Sequence, residues 1–306
     1  MILKIGTRGS QLALAQSRWV KTRIEEQHPH VHVELAVIKT KGDKILDSPL
    51  NLIGGKGLFV KEIEDALLNH HVDLAVHSMK DLPSTLPEGL MLAAFPEREI
   101  PYDALISIGN ERLTQLPAGA RVGTGSLRRK SQILHLRPDL DIVSLRGNVG
   151  TRLKKLESEG LQAVVLAAAG LKRLGFENRI TTILGDADVL PAVGQGALGL
   201  EVRSDDDRTI GLVETLNHGP TEIAVKAERA FLEELQGGCQ VPIAGFALSS
   251  GEELRLQGMV ADLEGDRLIR DEIRGSTREA EEIGVKLARK MLDSGANEIL
   301  KEFYFG

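Results

Sequence analysis

Two spacings of apolar residues alternate along the first two-thirds of the chain. Short runs with the period of a strand precede stretches with the period of an amphipathic helix, which is typical of helices covering a largely parallel sheet. Ile2 to Gly6 predicts a strand, and Ser10 predicts the N-cap of a helix that reaches Gln27. The other elements of this first group are a strand at 31–38, a helix at 58–69 and a strand at 73–76. The pattern predicts the fold class α/β.

A second group of elements has the same character and predicts a second α/β domain. Its strands are predicted near 121–123, 141–145 and 163–167, and its helices begin near Ser126, Val149 and Ala169.

The last third of the chain differs, because a polar helix comes first and strand-like runs then follow one another. The helix is predicted at 221–235, the strands at 243–248, 254–261 and 267–273, and a closing helix at 277–294. Grouped strands covered by helices predict a small α+β domain. Turn formers place the boundaries near 96–101, 190–196 and 217–220.

Composition and charge limit the classes of function. A length of 306 residues exceeds what one hydrophobic core usually spans, so two or three domains are expected. A formal charge of −6 argues against non-specific nucleic-acid binding, which needs a basic surface. The richest apolar run, Ala163 to Leu171, is too short to cross a bilayer, and Met1 to Gly6 shows no secretion signal. We expect a soluble, cytoplasmic protein with no membrane partner.

Arginines recur in loops that follow predicted strands. In Gly6-Thr7-Arg8-Gly9-Ser10 a guanidinium and a hydroxyl stand at a helix start, where free backbone N–H groups also face an anion. The later loops and helix starts add Thr124, Ser126, Arg128, Arg129, Arg146, Arg152 and Arg173. Ligands of open α/β sheets bind beyond the carboxyl ends of strands, and guanidinium groups pair with carboxylates in bidentate fashion. The predicted ligand is therefore a small anion with several carboxylates.

Each of these loops also has a simpler explanation. Glycine-rich turns are ordinary connectors, and an arginine near a helix start is more often solvated than bound to a ligand. Neither glycine run fits the dinucleotide fingerprint, and no Walker lysine pattern is present, so nucleotide binding is disfavoured. We predict no metal site.

The run from Asp73 to Pro83 is an apolar strand that ends in a cluster of ionisable residues. Asp81 is the leading candidate for a catalytic carboxylate, because a carboxylate at the mouth of a cleft holds an N–H donor and stabilises cationic character on a substrate ring. The alternative is that Asp81 caps a turn and pairs with Lys80. His77 is more often structural than catalytic in such a setting.

The single cysteine, Cys239, lies in a glycine-rich loop. Gly237 and Gly238 precede it and Pro242 follows, so the thiol is expected on a turning backbone that another molecule can approach closely. The alternative is a small buried hydrophobe, since free cysteine commonly packs in a core and its reactivity depends on thiolate character and access.

Distinctive runs recur along nearly the whole chain. They are Gly42-Asp43, Gly54 to Glu62, Val76 to Asp81, Ser126 to Arg129, Leu145 to Leu153, Pro191 to Gly196 and Gly237 to Pro242. In this order they resemble the motifs of the hydroxymethylbilane synthase family, also called porphobilinogen deaminase. Several long motifs in the same order make coincidence improbable, whereas any one alone is weak evidence.

This resemblance implies the deaminating polymerisation of porphobilinogen into the linear tetrapyrrole hydroxymethylbilane. Each monomer loses ammonia to give an electrophilic azafulvene, which the free α-carbon of the growing chain attacks. Cys239 would carry a dipyrromethane cofactor through a thioether as a permanent anchor, unlike a nucleophile that turns over in each cycle. The acetate and propionate groups of the substrate would explain the many arginines.

The resemblance also assigns roles to residues. Asp81 would hold pyrrole nitrogens and stabilise the cationic intermediate. The cofactor carboxylates would be held by Lys80, Thr124, Ser126, Arg128 and Arg129. The substrate or the advancing chain would be bound by Arg8, Ser10, Arg146, Arg152 and Arg173, with Lys56 and Phe59 on a mobile loop that covers the site.

The family fold implies two similar α/β domains, like those of periplasmic binding proteins, around a cleft, with a small α+β domain delivering the cysteine loop. Domain 1 would be discontinuous, comprising 1–96 and 195–216, with domain 2 at 97–194 and domain 3 at 217–306. The family suggests a monomer, and a transient hand-off to the next enzyme of the pathway is a further expectation.

Two other functions stay open at this point. A solute-binding or sensory module also closes two α/β lobes on an anion, but it leaves the setting of Cys239 unexplained, and no export signal is seen. A thiol hydrolase needs a histidine base near Cys239, and the nearest in sequence is His218, beyond a predicted helix.

Overall fold

The computed structural model describes residues 1–40, 60–237 and 241–305. The chain divides into two compact units. Unit 1 comprises Met1–Glu99 and Ala197–Glu222, and unit 2 comprises Ile100–Gly196 and Ile223–Gly306.

The elements in the described part of the chain are numbered along the sequence. The strands are β1 (Ile2–Thr7), β2 (His32–Val37), β3 (Leu74–Ser78), β4 (Leu90–Ala94), β5 (Asp103–Ser107), β6 (Arg121–Thr124), β7 (Asp141–Ser144), β8 (Ala163–Ala167), β9 (Thr182–Leu184), β10 (Leu198–Arg203), β11 (Ile243–Ser250), β12 (Glu253–Ala261) and β13 (Leu268–Ser276). The helices are α1 (Gln11–Gln27), α2 (Lys61–Leu68), α3 (Leu127–Leu136), α4 (Val149–Ser158), α5 (Ala168–Arg173), α6 (Asp207–Val213), α7 (Gly219–Glu234), α8 (Ala280–Met291) and α9 (Asn297–Phe305).

Unit 1 is built on a five-stranded sheet in the order β2-β1-β3-β10-β4. The strands β1, β2 and β3 are parallel, whereas β10 is antiparallel to both of its neighbours. Ile5 lies opposite Leu35 on one side and Leu74 on the other. Leu3, Ile5 and Leu74 are almost fully buried and pack with residues of α1, which covers this sheet because its apolar residues recur on one side.

Unit 2 contains a second five-stranded sheet with the same arrangement, in the order β7-β6-β8-β5-β9. Here β6 is parallel to β7 and β8, and β5 runs antiparallel to β8 and β9. In both sheets the middle parallel strand comes first in sequence, so the carboxyl ends of three adjacent parallel strands face the same edge.

The remaining strands of unit 2 form an antiparallel sheet in the order β11-β12-β13. Its core contains Phe231 of α7, Leu256 of β12 and Leu287 of α8, all fully buried. Gly258 lets this sheet approach the aromatic ring, because a Cβ at that position would lie 2.5 Å from Cζ of Phe231. The sheet therefore packs closely against the helix that precedes Cys239 in sequence.

The predicted α/β class is confirmed, with two similar sheets and a small carboxyl-terminal sheet. The sequence pattern did not predict β4, β5, β9, β10, α6 or α9. The family resemblance did imply that the chain returns to domain 1 after Gln195, and β10 lies in the first sheet. The helical chain continues past the predicted end at 294. Gly295, with φ of +103°, interrupts it before α9 begins. The three domain ranges predicted from the family remain a prediction.

Candidate functional site

In unit 1, neighbouring parallel strands bring predicted site residues to one edge of the sheet. Arg8 directly follows β1, and Ser10 caps α1 by accepting a hydrogen bond from the N–H of Ala13 at 3.2 Å. Asp81 ends a single 3₁₀ turn that follows β3, and its side chain is exposed. Arg8 and Asp81 line one depression, together with Gln16, His77 and Ser78.

A buried cluster of ionisable groups borders this depression. His77 Nε2 and Glu201 Oε2 are 2.7 Å apart, and both side chains are almost fully buried. Oε1 of Glu201 has no hydrogen-bond partner within the described ranges. Burial raises the pKa of nearby Glu64, and the charge of Glu201 raises it further. The imidazole of His77 is therefore fixed by the buried carboxylate of Glu201, consistent with the structural role that the sequence favours.

In unit 2, predicted site residues follow the carboxyl ends of β6, β7 and β8. Ser126 caps α3 by accepting from the N–H of Arg129 at 3.4 Å, and its own N–H donates to Oγ1 of the buried Thr124 at 3.3 Å. Arg173 lies beyond β8 and donates from Nη2 to the carbonyl of Gly196 at 2.8 Å.

The loops after β6 and β7 approach each other closely. A Cβ at Gly125 would lie 2.5 Å from the carbonyl oxygen of Leu145 and 3.9 Å from Nη2 of Arg152. Arg146 follows Leu145 directly in sequence and is half-buried, as is Arg152. The structure thus brings the hydroxyl-bearing loop and two of the predicted substrate arginines together.

Arg128 and Arg129 are placed differently from what the sequence suggests for a surface anion site. Each is 5% exposed, and both bind Asp103, which is fully buried. Nη2 of Arg128 is 2.8 Å from Oδ2 of Asp103, and Nη2 of Arg129 is 2.7 Å from Oδ1. The two guanidinium groups also donate to the carbonyls of Leu190 and Val165, at 2.7 and 3.0 Å. Their hydrogen bonds are thus largely directed inward.

Among the residues that the structure describes, the two guanidinium groups share one carboxylate, so the charges in this cluster do not balance. Burial alone would raise the pKa of the Asp103 carboxyl, but the two arginines outweigh that effect and hold the pKa well below its ordinary range. Burial lowers the pKa of Arg128, although Asp103 opposes the shift. The cluster therefore carries a surplus positive charge in a site with little access to water.

Asp103 and its partner Gln195 were not predicted as site residues, although Gln195 lies in the family motif Pro191 to Gly196. Nε2 of Gln195 donates to Oδ1 of Asp103 at 2.9 Å. One feature of the sequence pointed to Asp103: it opens an apolar strand, and a carboxylate is almost never buried without a partner.

Three predicted residues, Lys56, Phe59 and Cys239, lie outside the described residues. Lys80 belongs to the same 3₁₀ turn as Asp81 and is half-buried. Nδ1 of His218 is 2.8 Å from Oγ1 of Thr221.

A search of the described ranges found no group of three or more His, Cys, Asp or Glu residues arranged to hold a metal ion. Within the same ranges, none of the helices has both the length and the apolar character needed to span a membrane.

The chain was compared with solved structures. It is similar to a TRAP periplasmic solute binding protein from Desulfovibrio salexigens, with 11% identity, a TM-score of 0.43 and coverage of 99% of this chain and 80% of that one. It is also similar to a YaeC-family lipoprotein from Enterococcus faecalis, with 13% identity, a TM-score of 0.41 and coverage of 70% and 90%. These scores are too low to support a conclusion about function.

Comparison with families and curated relatives gives a clear result. Residues 3–211 match the family model described as porphobilinogen deaminase, dipyromethane cofactor binding domain, and residues 222–293 match porphobilinogen deaminase, C-terminal domain. A porphobilinogen deaminase of Syntrophotalea carbinolica is 55% identical over 97% of this chain and 95% of its own length. One from Syntrophobacter fumaroxidans is 54% identical over 99% and 98%. On these matches, the chain belongs to the porphobilinogen deaminase family.

Proposed function

We propose that Cys239 anchors a dipyrromethane cofactor through a thioether and that Asp81 is the catalytic carboxylate of the reaction. As a member of its family, the chain is a transferase, hydroxymethylbilane synthase. It deaminates porphobilinogen and joins the units head to tail into hydroxymethylbilane, in tetrapyrrole biosynthesis, with dipyrromethane as its cofactor. Cys239 is the one cysteine of the chain, which makes it the sole candidate for a thioether anchor. A solute-binding or sensory role is not favoured.

The observation that carries the proposal is the unbalanced charge around Asp103. A buried guanidinium without its own anion is costly, and an incoming carboxylate would neutralise the surplus charge of Arg128 and Arg129. Within the described part of the chain, Nε of Arg128 makes no hydrogen bond, so it supports a role as donor to that carboxylate. A dipyrromethane carries carboxylate side chains and therefore fits this cluster.

Other donors would complete the cofactor site. Thr124 and Ser126 stand at the start of α3, where main-chain N–H groups favour an anion. Lys80 would add a positive charge from the turn that holds Asp81. When bound, dipyrromethane supplies the pyrrole α-carbon from which the product chain is extended.

The substrate carboxylates would be held by the arginines at the strand ends. Arg8 and Ser10 serve this role at the end of β1. Arg146, Arg152 and Arg173 serve it beyond β7 and β8. Lys56 and Phe59 are assigned to a covering loop on the resemblance alone.

Asp81 acts on charge that develops during ammonia loss. Its carboxylate, exposed at the end of the turn after β3, would accept a hydrogen bond from the pyrrole N–H and stabilise the ring as it becomes cationic. Because a carboxylate acts here by its negative charge, an isosteric amide at this position should bind substrate but fail to stabilise the cation.

The organisation and surroundings of the enzyme belong to the same proposal. We assign domain 1 to 1–96 and 195–216, domain 2 to 97–194 and domain 3 to 217–306. We also propose a cytoplasmic monomer that hands its linear product to the next enzyme of the pathway.

The intact mass of purified protein tests the anchor. The mass should exceed the sequence mass by one dipyrromethane, and Cys239→Ser should remove the excess while the fold is kept. Fully active protein with the bare sequence mass would refute the anchor. A pyrrole-specific colour reaction on the denatured protein checks the chemical identity of the adduct.

The Asp81→Asn variant tests the catalytic carboxylate. We expect kcat to fall by at least ~10²-fold, by analogy with the loss of one charge-stabilising group in other active sites, with KM and the adduct largely unchanged. Asp205→Asn removes an exposed carboxylate of unit 1 and serves as the matched control. Near-normal turnover of Asp81→Asn would contradict the role.

A further inference from the structure

The segment 190–196 joins two of the predicted ligand arginines through its main chain. The carbonyl of Leu190 accepts from Nη1 of Arg128 at 2.7 Å, and the carbonyl of Gly196 accepts from Nη2 of Arg173 at 2.8 Å. The two ends of the segment thus fix two guanidinium groups that come from different helices. Any displacement of the segment would move both arginines.

Asp103 binds the same segment through a side chain. Gln195 donates from Nε2 to Oδ1 of Asp103 at 2.9 Å and to the carbonyl of Pro101 at 2.7 Å. Asp103 meanwhile accepts from Arg128 and Arg129. One carboxylate therefore ties both members of the arginine pair to the segment.

Glu228 holds the segment from the other side. This side chain of α7 is fully buried, and its Oε2 accepts from the N–H of Gly194 at 2.6 Å. Its Oε1 accepts from the N–H of Ala247 in β11 at 2.8 Å. A carboxylate that accepts two backbone N–H groups in a dry site forms strong, charge-assisted hydrogen bonds. The segment is thereby fastened to both the helix and the small sheet.

The small sheet adds a main-chain contact of its own. The N–H of Gly245 donates to the carbonyl of Pro191 at 3.1 Å, so alternate N–H groups along the edge strand β11 are satisfied by the segment and by Glu228. In sequence, α7 ends at Glu234, and Cys239 follows five residues later.

We propose that Asp103 and Glu228 are positioning residues that clamp segment 190–196 between them, so that the arginine pair keeps a fixed place relative to the helix leading to Cys239. This inference rests on the proposed function, because it assigns the clamp to holding the site of the anchored cofactor. Both ends of a tethered ligand are constrained: the sulfur at one end and the carboxylates at the other. Fixing the protein groups beforehand lowers the ordering cost when the ligand binds.

The Gln195→Met variant tests one half of the clamp. Methionine keeps the approximate volume of the side chain but removes the amide that donates to Asp103 and Pro101. Loss of one hydrogen bond to a charged group corresponds to roughly tenfold in an equilibrium constant. We expect a folded protein in which the adduct is incompletely loaded, or in which KM for porphobilinogen rises by about that factor.

The Glu228→Gln variant tests the other half. An amide accepts from only one of the two N–H groups and turns an NH₂ toward the other, so one clamp bond is lost. Intact mass and KM are the readouts again. If Glu228→Gln does not fold, Gln195→Met decides the question by itself.

Asp206→Asn is the matched control, because Asp206 caps α6 and pairs with Arg203 at 2.6 Å in unit 1. It should lower the melting temperature yet leave adduct loading and KM unchanged. The inference would be overturned if Gln195→Met and Glu228→Gln both carry the full adduct and have the wild-type KM. It would also be overturned if the control Asp206→Asn loses as much of the adduct as they do. A wild-type protein without adduct would instead refute the proposed function.

Discussion

Replacing Asp103 with Asn should cost more stability than replacing Arg129 with Gln, although both changes break the same ion pair. The first change leaves two buried guanidinium groups with no anion, and removing one partner of a buried pair costs about 3–5 kcal/mol. The second leaves Asp103 still paired with Arg128 and Gln195, and its main loss is the donor to the carbonyl of Val165, which costs about 1–3 kcal/mol.

The expected difference is therefore about 2 kcal/mol, the gap between the two costs. For a unit of this size it corresponds to a melting temperature about 4–8 °C lower for Asp103→Asn than for Arg129→Gln. The comparison is made by thermal and urea unfolding in a Cys239→Ser background, where no tethered carboxylate contributes to the charge balance.

Repeating the comparison with Cys239 intact tests the charge balance itself. With a cofactor carboxylate in place, the cluster would hold two cations and two anions, so that removing either sign leaves one charge uncompensated. The difference between the two variants should then shrink. If Arg129→Gln is as unstable as Asp103→Asn in the Cys239→Ser background, the surplus-charge reasoning is refuted. If the difference in stability between the two variants is the same with Cys239 intact, the ligand's part in the charge balance is refuted.

Three further predictions follow from the described side chains. The arginines hold the pKa of Asp103 far below its value in the unfolded chain, so the stability that its charge contributes is fully present above about pH 4 and is lost only as the pH falls further. The difference in melting temperature between the wild type and Asp103→Asn should therefore stay constant from pH 8 to about 4. The pKa of Glu64 is raised, so the folded state holds this proton more tightly than the unfolded chain, and stability falls as the pH rises above 4.5. The melting temperature of Glu64→Gln should therefore rise relative to that of the wild type as the pH increases. A difference in melting temperature that does not change with pH would contradict this. Ser10→Ala should cost about 1 kcal/mol through the lost cap of α1 and also raise KM, whereas Ser276→Ala, which removes another cap, should leave KM unchanged.

Much of the fold was predictable, because local patterns decide it. The cap at Ser10 and the end of α1 at Gln27 agree with the prediction, since an N-cap hydroxyl and an apolar stripe are local features. The residue pattern did not predict the strand β10, although the family resemblance implied a return to domain 1, because its place in the sheet depends on pairing with β3, which lies far away in sequence. Its residues also lack alternation, since both faces of the strand are buried.

The edge on which the site residues gather was also predictable. Arg8 and Asp81 follow β1 and β3, which pair side by side, and parallel strands place their carboxyl ends together. What stayed hidden was the direction of each side chain. Arg173 binds the carbonyl of Gly196, a contact that no spacing indicates, because it depends on the fold of segment 190–196.

The rule that cations are disfavoured at the N-terminus of a helix would have indicated more about Arg128 and Arg129 than their spacing did. They lie in the first turn of α3, the end of the helix at which the macrodipole disfavours cations, and no acidic residue accompanies them there. Consecutive side chains on a helix point about 100° apart. Arg128 and Arg129 can therefore reach the same carboxylate only if its acidic residue lies close to the start of the helix. Two cations in that place already imply nearby anions, and Asp103 supplies only one of them. The anchored, carboxylate-bearing cofactor that we propose would supply a second carboxylate and complete the balance.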